Sequence, residues 1–170
     1  TSNANGEIII WTHATDSVEK ESFTADKWIT CEYDGWKVEL SLSLLSEMQA
    51  DRGNALPNET GGVLIGAYDI ARKRIYVVYQ VRAPEDSISS PTSFIRGCAN
   101  LPERLKYIQE TTLDNLTYIG EWHSHPSANT QRSTDDVKLH EAIVGYNREN
   151  CLPGCMMILG SNNFSIFIGE

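Results

Sequence analysis

Short apolar segments bounded by turn-forming residues recur along most of the chain and predict β-strands. They cover residues 7–13, 36–40, 61–68, 75–81, 117–122, 155–159 and 164–168. Only a short polar turn separates residues 61–68 from residues 75–81, so these two strands are expected to form a hairpin. Residues 84–93 contain serines and prolines and are expected to form a loop.

Three other segments carry apolar residues at the spacing of an amphipathic helix. They are residues 42–50, residues 103–113 and the residues that follow Ser133. Gly53 is expected to end the first helix, and Ser133 is a favoured N-cap residue for the third. Together the segments predict an α/β domain with a central mixed β-sheet flanked by about three helices.

The chain has 170 residues, which suits one domain with a sizeable core. Residues 1–35 are the least patterned part, and we interpret them as an N-terminal extension or linker remnant before a domain at residues 36–170. Within this extension, the acidic residues 16–26 are expected to form a solvated loop or a short helix. The chain begins at Thr1 rather than methionine, which suits a piece of a longer polypeptide.

The composition narrows the classes of function. The net charge is -9 and lysine and arginine form no cluster, so nucleic-acid binding is not expected. No apolar run reaches 18 residues, so no membrane span is expected.

The four cysteines form no C-x-x-C pair. Cys151 and Cys155 flank Leu-Pro-Gly, and we favour a structural role for them over a second metal site. A chain of this length does not need disulfides for stability, so a reducing compartment and hence a cytoplasmic location are expected.

Residues 120–136 (GEWHSHPSANTQRSTDD) carry the richest chemistry of the chain. Side chains alternate faces along a strand, so His123 and His125 are expected to point the same way. Two imidazoles and one carboxylate form a three-ligand zinc site with an open position, which is the arrangement of hydrolytic zinc. The residue pattern alone does not decide whether Asp135 or Asp136 supplies the carboxylate. The plainer alternative is a pair of ordinary polar histidines at the end of a strand.

Two glutamates are further candidates for this site. Glu121 lies on the same strand face as the histidines and is a possible third ligand, although a surface or supporting role is favoured. A hydrolytic site also needs a base, and Glu59 is the candidate because glycines at 61 and 62 allow close approach of backbone and substrate. The alternative for Glu59 is an ordinary loop glutamate before a strand.

Taken together, these positions resemble the JAMM motif of the JAB/MPN metalloprotease family, E…H-S/T-H-P-x(6)-S-x-x-D. The motif positions are filled by Glu59, His123, Ser124, His125, Pro126, Ser133 and Asp136. The similarity runs from about residue 38 to about residue 168 and implies the JAB/MPN (cytidine-deaminase-like) fold. It further implies one zinc ion per chain, held by His123, His125 and Asp136. In such proteins the residue corresponding to Glu59 is the general acid/base and that corresponding to Ser133 hydrogen-bonds the oxyanion.

The resemblance also implies a function. Family members of this kind cleave peptide or isopeptide bonds after the C-terminal tail of a ubiquitin-like protein. Such a tail is expected to bind in a narrow channel, and residues 82–101, from Arg82 to Leu101, are a candidate lining for it. The phrases PTSFIRG and GEWHSHP are most similar to bacterial JAB domains that accompany activating-enzyme-like and conjugating-enzyme-like proteins, including those of antiviral operons. The alternatives are a zinc peptidase or amidase on another substrate, and a non-catalytic MPN scaffold.

Overall fold

A computed structural model describes residues 7–14, 17–24 and 27–170 of the protein. The strands are β1 (Glu7–Ala14), β2 (Ser17–Thr24), β3 (Trp28–Tyr33), β4 (Trp36–Ser41), β5 (Gly61–Asp69), β6 (Arg74–Arg82), β7 (Ile88–Ser90), β8 (Ser93–Ile95), β9 (Thr117–Ser124), β10 (Gly154–Leu159) and β11 (Phe164–Gly169). The helices are α1 (Leu42–Ala55), α2 (Leu101–Thr111) and α3 (Thr134–Arg148), with a short 3₁₀ turn at Ile70–Arg72.

Seven strands form one mixed sheet in the order β11-β10-β9-β5-β6-β4-β3. The pairs β9–β10 and β4–β6 are parallel, and the other neighbours are antiparallel. The two edge strands approach each other, and the rings of Tyr33 and Phe167 meet edge-on with centroids 6.0 Å apart. The sheet is therefore strongly curled, and the predicted α/β fold with a central mixed sheet and three helices is confirmed.

Apolar residues cover both faces of the sheet. Along β10, Met157 and Leu159 join the cluster that contains Met48 of α1, whereas Met156 and Ile158 join the cluster of α3. A third cluster packs β5 and β6 against α2. The central strand β9 lies between β5 and β10 and is buried from Ile119 onward. The histidines at its end therefore project from the most firmly held part of the fold.

Two helix boundaries differ from the sequence prediction. Gly53 does not end α1, which continues to Ala55; a side chain added at Gly53 would meet nothing within 4 Å, so this glycine tolerates a helical position on the surface. The second helix lies two residues earlier than predicted and ends at Thr111. Leu113 has φ 52°, a left-handed conformation that a right-handed helix does not accommodate.

Two predicted loops contain strands. Residues 17–24 form β2 rather than a loop or helix, and they pair with β1 in a separate two-stranded sheet. Residues 88–90 form β7, which pairs with β8 as a hairpin. Both strands consist largely of polar residues, so their apolar pattern is too weak to indicate a strand without the pairing partner. Residues 16, 25 and 26 of the acidic stretch lie outside the described residues.

Part of the predicted N-terminal extension belongs to the main sheet. Strand β3 pairs with β4 along its whole length, from Trp28 opposite Ser41 to Tyr33 opposite Trp36. The division into residues 1–35 and 36–170 stays a prediction. Among the helices of the described residues, none combines the length and the apolar character needed to cross a membrane.

Candidate metal centre

The side chains of His123, His125 and Asp136 converge on one point. The Nε2 atoms of the two histidines are 3.3 Å apart, and the Asp136 carboxylate oxygens lie 3.1 Å from His123 Nε2 and 3.8 Å from His125 Nε2. One ligand atom from each residue lies within 4.8 Å of the others, which is close enough for all three to hold one metal ion. His123 lies near the end of β9, His125 follows directly after that strand, and Asp136 lies in the first turn of α3, so the fold itself brings the three side chains together.

The His125 ring is oriented by the loop that follows it. Its Nδ1–H donates to the carbonyl of Asn129 at 2.7 Å, and a carbonyl only accepts, so the hydrogen is on Nδ1. Nε2 therefore presents its lone pair to the cluster, as a metal ligand requires. The main chain of His125 is fixed as well, because its N–H donates to Leu159 of the neighbouring strand β10 at 2.9 Å.

The structure distinguishes the two candidate aspartates. Ser133 and Asp136 form a capping box: the Ser133 N–H donates to Asp136 Oδ2 at 2.7 Å, and the Asp136 N–H donates to Ser133 Oγ at 3.2 Å. Asp135 instead pairs with Lys138, and its side chain is 90% exposed against 13% for Asp136. Asp136 is thus the carboxylate that joins the histidines.

Opposing effects act on the pKa of Asp136. Burial raises it, but hydrogen bonds from the His123 side chain and the Ser133 backbone outweigh burial and lower the pKa well below the usual range of an aspartate. The carboxylate is consequently ionised at neutral pH, the form in which a carboxylate binds a cation.

Glu59 is held beside the cluster by the residue that follows it. The N–H of Ser124 donates to the Thr60 carbonyl at 2.7 Å, and the Thr60 N–H donates to Ser124 Oγ at 3.0 Å. Gly61 then pairs directly with His123 across β5 and β9. The buried position raises the pKa of Glu59, although the nearby charges of His125 and His123 oppose this effect. A carboxyl group with a raised pKa is suited to both accepting and donating a proton.

The β7–β8 hairpin lies on the other side of Glu59. The Glu59 N–H donates to Ser90 at 2.8 Å, and the Ser89 hydroxyl donates to the Glu59 carbonyl. The Phe94 ring covers Gly61, where a Cβ would lie 2.6 Å from Phe94 Cε1. Only glycine fits this approach, so the hairpin and β5 are in direct contact next to the site. The candidate channel lining, residues 82–101, therefore borders Glu59, while its role in substrate binding stays a prediction.

Glu121 does not join the cluster. Its carboxylate accepts two hydrogen bonds from Arg96, from Nε at 2.9 Å and from Nη2 at 2.8 Å. The pair is mostly buried, with side-chain exposures of 24% for Arg96 and 9% for Glu121. It connects the base of the hairpin to β9, two residues before His123.

Two residues with important contacts at the site were not singled out by the sequence reasoning. Ser124 was seen only as a motif position. Arg52 of α1 is buried and donates to the carbonyls of His125 and Pro126 at 3.0 and 2.6 Å. A signal for Arg52 does exist, because it follows Leu44 and Met48 at four-residue intervals and so lies on the buried stripe of the helix.

The cysteines lie apart from this chemistry. All four are free thiols; Cys155 is buried, and Cys98 and Cys151 are exposed. Burial raises the pKa of Cys155 to about 12, so its thiol stays protonated and packs as a small apolar group. Within the described ranges, the His123, His125 and Asp136 cluster is the one set of side chains arranged to hold a metal.

Comparison with known proteins agrees with this geometry. The sequence profile of prokaryotic homologs of the JAB domain matches residues 41–168, so the chain belongs to the prokaryotic JAB-domain family. A curated relative, the CD-NTase/cGAS isopeptidase of Enterobacter hormaechei subsp. hoffmannii (strain UCI 50), is 31% identical over 148 residues. These cover 86% of this chain and 81% of the relative. The predicted family is confirmed.

One solved structure has a similar fold. A protein from Desulfitobacterium hafniense superposes with a TM-score of 0.50 at 22% identity, over 76% of this chain and 80% of that one. A JAB1/MPN domain protein from Archaeoglobus fulgidus gives a TM-score of 0.43 at 18% identity, over 73% of this chain and 82% of that one.

Proposed function

We propose that this protein is a zinc-dependent isopeptidase of the JAMM type that cleaves after the C-terminal tail of a ubiquitin-like protein. The observation that carries the proposal is the convergence of His123, His125 and Asp136 beside the buried carboxyl of Glu59. Two imidazole nitrogens and one carboxylate oxygen form a three-residue ligand set that is typical of catalytic zinc. The complete set of four groups also argues against a purely non-catalytic scaffold.

The residues present fit one zinc ion per chain. The Nδ1–H bond of His125 directs its Nε2 into the cluster, and the hydrogen bonds to Asp136 keep that carboxylate ionised. When bound, zinc supplies a Lewis acid that polarises the substrate carbonyl and makes water a stronger acid at neutral pH.

The chain's own residues supply the remaining chemistry. Glu59 takes a proton from the attacking water and returns it to the departing amine, for which its raised pKa is suited. Ser133 Oγ accepts the Asp136 N–H as an N-cap, so its own hydrogen is free to donate to the oxygen of the scissile carbonyl. Ser133 is exposed, so a substrate reaches it from solvent.

The β7–β8 hairpin supports an extended substrate. Among the described residues β8 pairs with β7 alone, so its outer edge is open to a further strand. A C-terminal tail that adds to this edge gains main-chain hydrogen bonds. The exposed side chains of Ile88 and Ile95, which pair across the hairpin, offer apolar contacts to the same substrate.

The named relative suggests what is conjugated. Because that protein is called a CD-NTase/cGAS isopeptidase, we extend the proposal to an isopeptide-linked conjugate that contains a CD-NTase. The setting we propose is a bacterial conjugation system of antiviral type. Its partner proteins would be activating-enzyme-like and conjugating-enzyme-like, and its compartment the cytoplasm.

Two substrates test this proposal side by side. One is a ubiquitin-like protein extended past its C-terminus, and the other is an isopeptide-linked conjugate that contains a CD-NTase. The zinc-loaded protein is expected to cleave at least one of them, and Glu59→Ala is expected to abolish cleavage while retaining zinc. Glu141→Ala, which alters an exposed glutamate on α3, is the matched control and should cleave normally. Cleavage of neither substrate by zinc-loaded protein would favour the alternative functions, a zinc peptidase or amidase on another substrate or a scaffold.

A further inference from the structure

We propose that Arg52 is a positioning residue for the metal centre, which fixes the main chain that carries the ligand His125. Its Nε donates to the His125 carbonyl at 3.0 Å, and its Nη2 donates to the Pro126 carbonyl at 2.6 Å. The guanidinium thus binds the carbonyl groups of the two residues that directly follow β9. The inference rests on the metal-dependent function proposed above.

The burial of Arg52 makes a purely structural role a poor explanation. The residue is 7% exposed, yet among the described residues no carboxylate lies within salt-bridge distance of its guanidinium. Its neighbour Asp51 pairs with Arg82 instead. A buried cation without a counter-charge is costly, whereas an apolar side chain would continue the buried stripe of α1 without that cost. Within the part of the chain that the structure describes, the guanidinium donates its hydrogen bonds to the carbonyl groups of His125 and Pro126.

The geometry of the guanidinium explains why arginine is needed here. Nε and Nη2 lie on one edge of a rigid plane, so two bonds to successive carbonyls fix the orientation of both peptide groups. The His125 ring is fixed separately by Asn129, and its N–H by Leu159. With Arg52 in place, all three attachments of this ligand are determined before the metal binds. Residues that orient a ligand in this way affect metal affinity directly.

Zinc affinity, measured by competition with a chromophoric chelator on metal-free protein, tests the inference. We expect Arg52→Met to weaken zinc binding about 10- to 100-fold, the range usual for residues that support a ligand. Arg52→Lys keeps the charge but not the planar pair of donors, and we expect an intermediate affinity. The matched control is Arg74→Met, because Arg74 pairs with Glu39 and lies opposite Asp69, at the far end of β5 from the site. Its zinc affinity should stay within about twofold of wild type, since it makes no contact with the ligands.

The outcomes separate the inference from the proposed function. Wild-type zinc affinity in Arg52→Met, with an unchanged unfolding temperature of the metal-free form, would overturn the inference. Should Arg52→Met fail to fold without metal, Arg52→Lys decides, and wild-type affinity there overturns it too. A wild-type chain that binds zinc but cleaves nothing refutes the proposed function alone, provided the affinity of the Arg52 variants falls. A wild-type chain that binds no zinc refutes both.

Discussion

Ser124 and Thr60 are joined by two reciprocal hydrogen bonds, one from each main-chain N–H, at 2.7 and 3.0 Å. The fully buried Ser124 lies between the two candidate metal ligands, His123 and His125, and Thr60 directly follows Glu59. The chain segment that carries both histidines is therefore attached to the segment that carries the candidate base Glu59. This relationship gives the serine of the H-S-H sequence a physical role.

Replacing Ser124 with alanine tests this attachment. Ser124→Ala leaves the Thr60 N–H without its partner, which is expected to cost about 1–3 kcal/mol of stability and to reduce kcat because Glu59 loses its fixed position. Urea unfolding and steady-state kinetics measure the two effects. Ser46→Ala removes an exposed hydroxyl that bonds within α1 and should change neither quantity. Full activity and full stability in Ser124→Ala would refute the role.

Replacing Asp136 and Asp135 separately with asparagine should show which of the two carboxylates binds the metal. Asp136→Asn is expected to lose the rise in unfolding temperature that zinc gives the wild type, which corresponds to about 2.7 kcal/mol at a free zinc concentration 100 times Kd. Asp135→Asn, one residue away and exposed, should retain it. Thermal unfolding with and without zinc compares the two variants. Equal stabilisation of both by zinc would exclude Asp136 as a ligand.

The ion pair between Arg96 and Glu121 is expected to govern substrate binding. Arg96→Lys replaces a two-bond contact by a single one, so the base of the hairpin loosens from β9. We expect KM for a tail-bearing substrate to rise several-fold, while zinc affinity stays at the wild-type value because the ligands are untouched. Lys106→Met, which alters an exposed pair on α2, serves as the control. An unchanged KM in Arg96→Lys would show that this attachment of the hairpin does not contribute to substrate binding.

The pKa of Glu59 predicts a pH dependence for the metal-free protein. Burial raises this pKa above its unfolded value, so the group contributes stability that is fully present below the unfolded pKa and is lost as pH rises through the folded pKa. Glu59→Gln removes the charge. The variant should therefore unfold at a higher temperature than wild type at pH 7.5, with a gap that narrows as pH falls toward 4.5, the ordinary value for glutamate. A gap that stays constant with pH would contradict the assigned shift.

The sequence indicated the ligands because their spacing is local. His123 lies on β9, His125 follows directly after that strand, and Asp136 lies in the first turn of the next helix, so alternation and capping place them near each other. Glu59 was a candidate base because of the glycines at 61 and 62, and the family resemblance then gave it a motif position, but no local pattern connects it to His123, 64 positions later. The structure supplies that connection through Thr60 and Ser124.

The contacts that sequence reasoning missed depend on packing between distant elements. The helical spacing indicates that Arg52 is buried but does not identify its partners, because these are main-chain carbonyls that leave no trace in the residue pattern. The pairing of Arg96 with Glu121 requires the hairpin to fold onto β9, and the polar strand β2 is recognisable only through its partner β1. The roles of Glu59 and Ser133 stay predictions until the chemistry is measured.

The central claim is tested most directly by intact-mass analysis of an isopeptide-linked conjugate after incubation with the zinc-loaded protein. The account predicts a single cut that releases the modifier with its own C-terminal carboxylate and the acceptor with a free lysine amine. The cut should disappear when a chelator removes the metal and reappear when zinc is added back. A cut elsewhere in the conjugate, or cleavage that persists in the chelator, would contradict it.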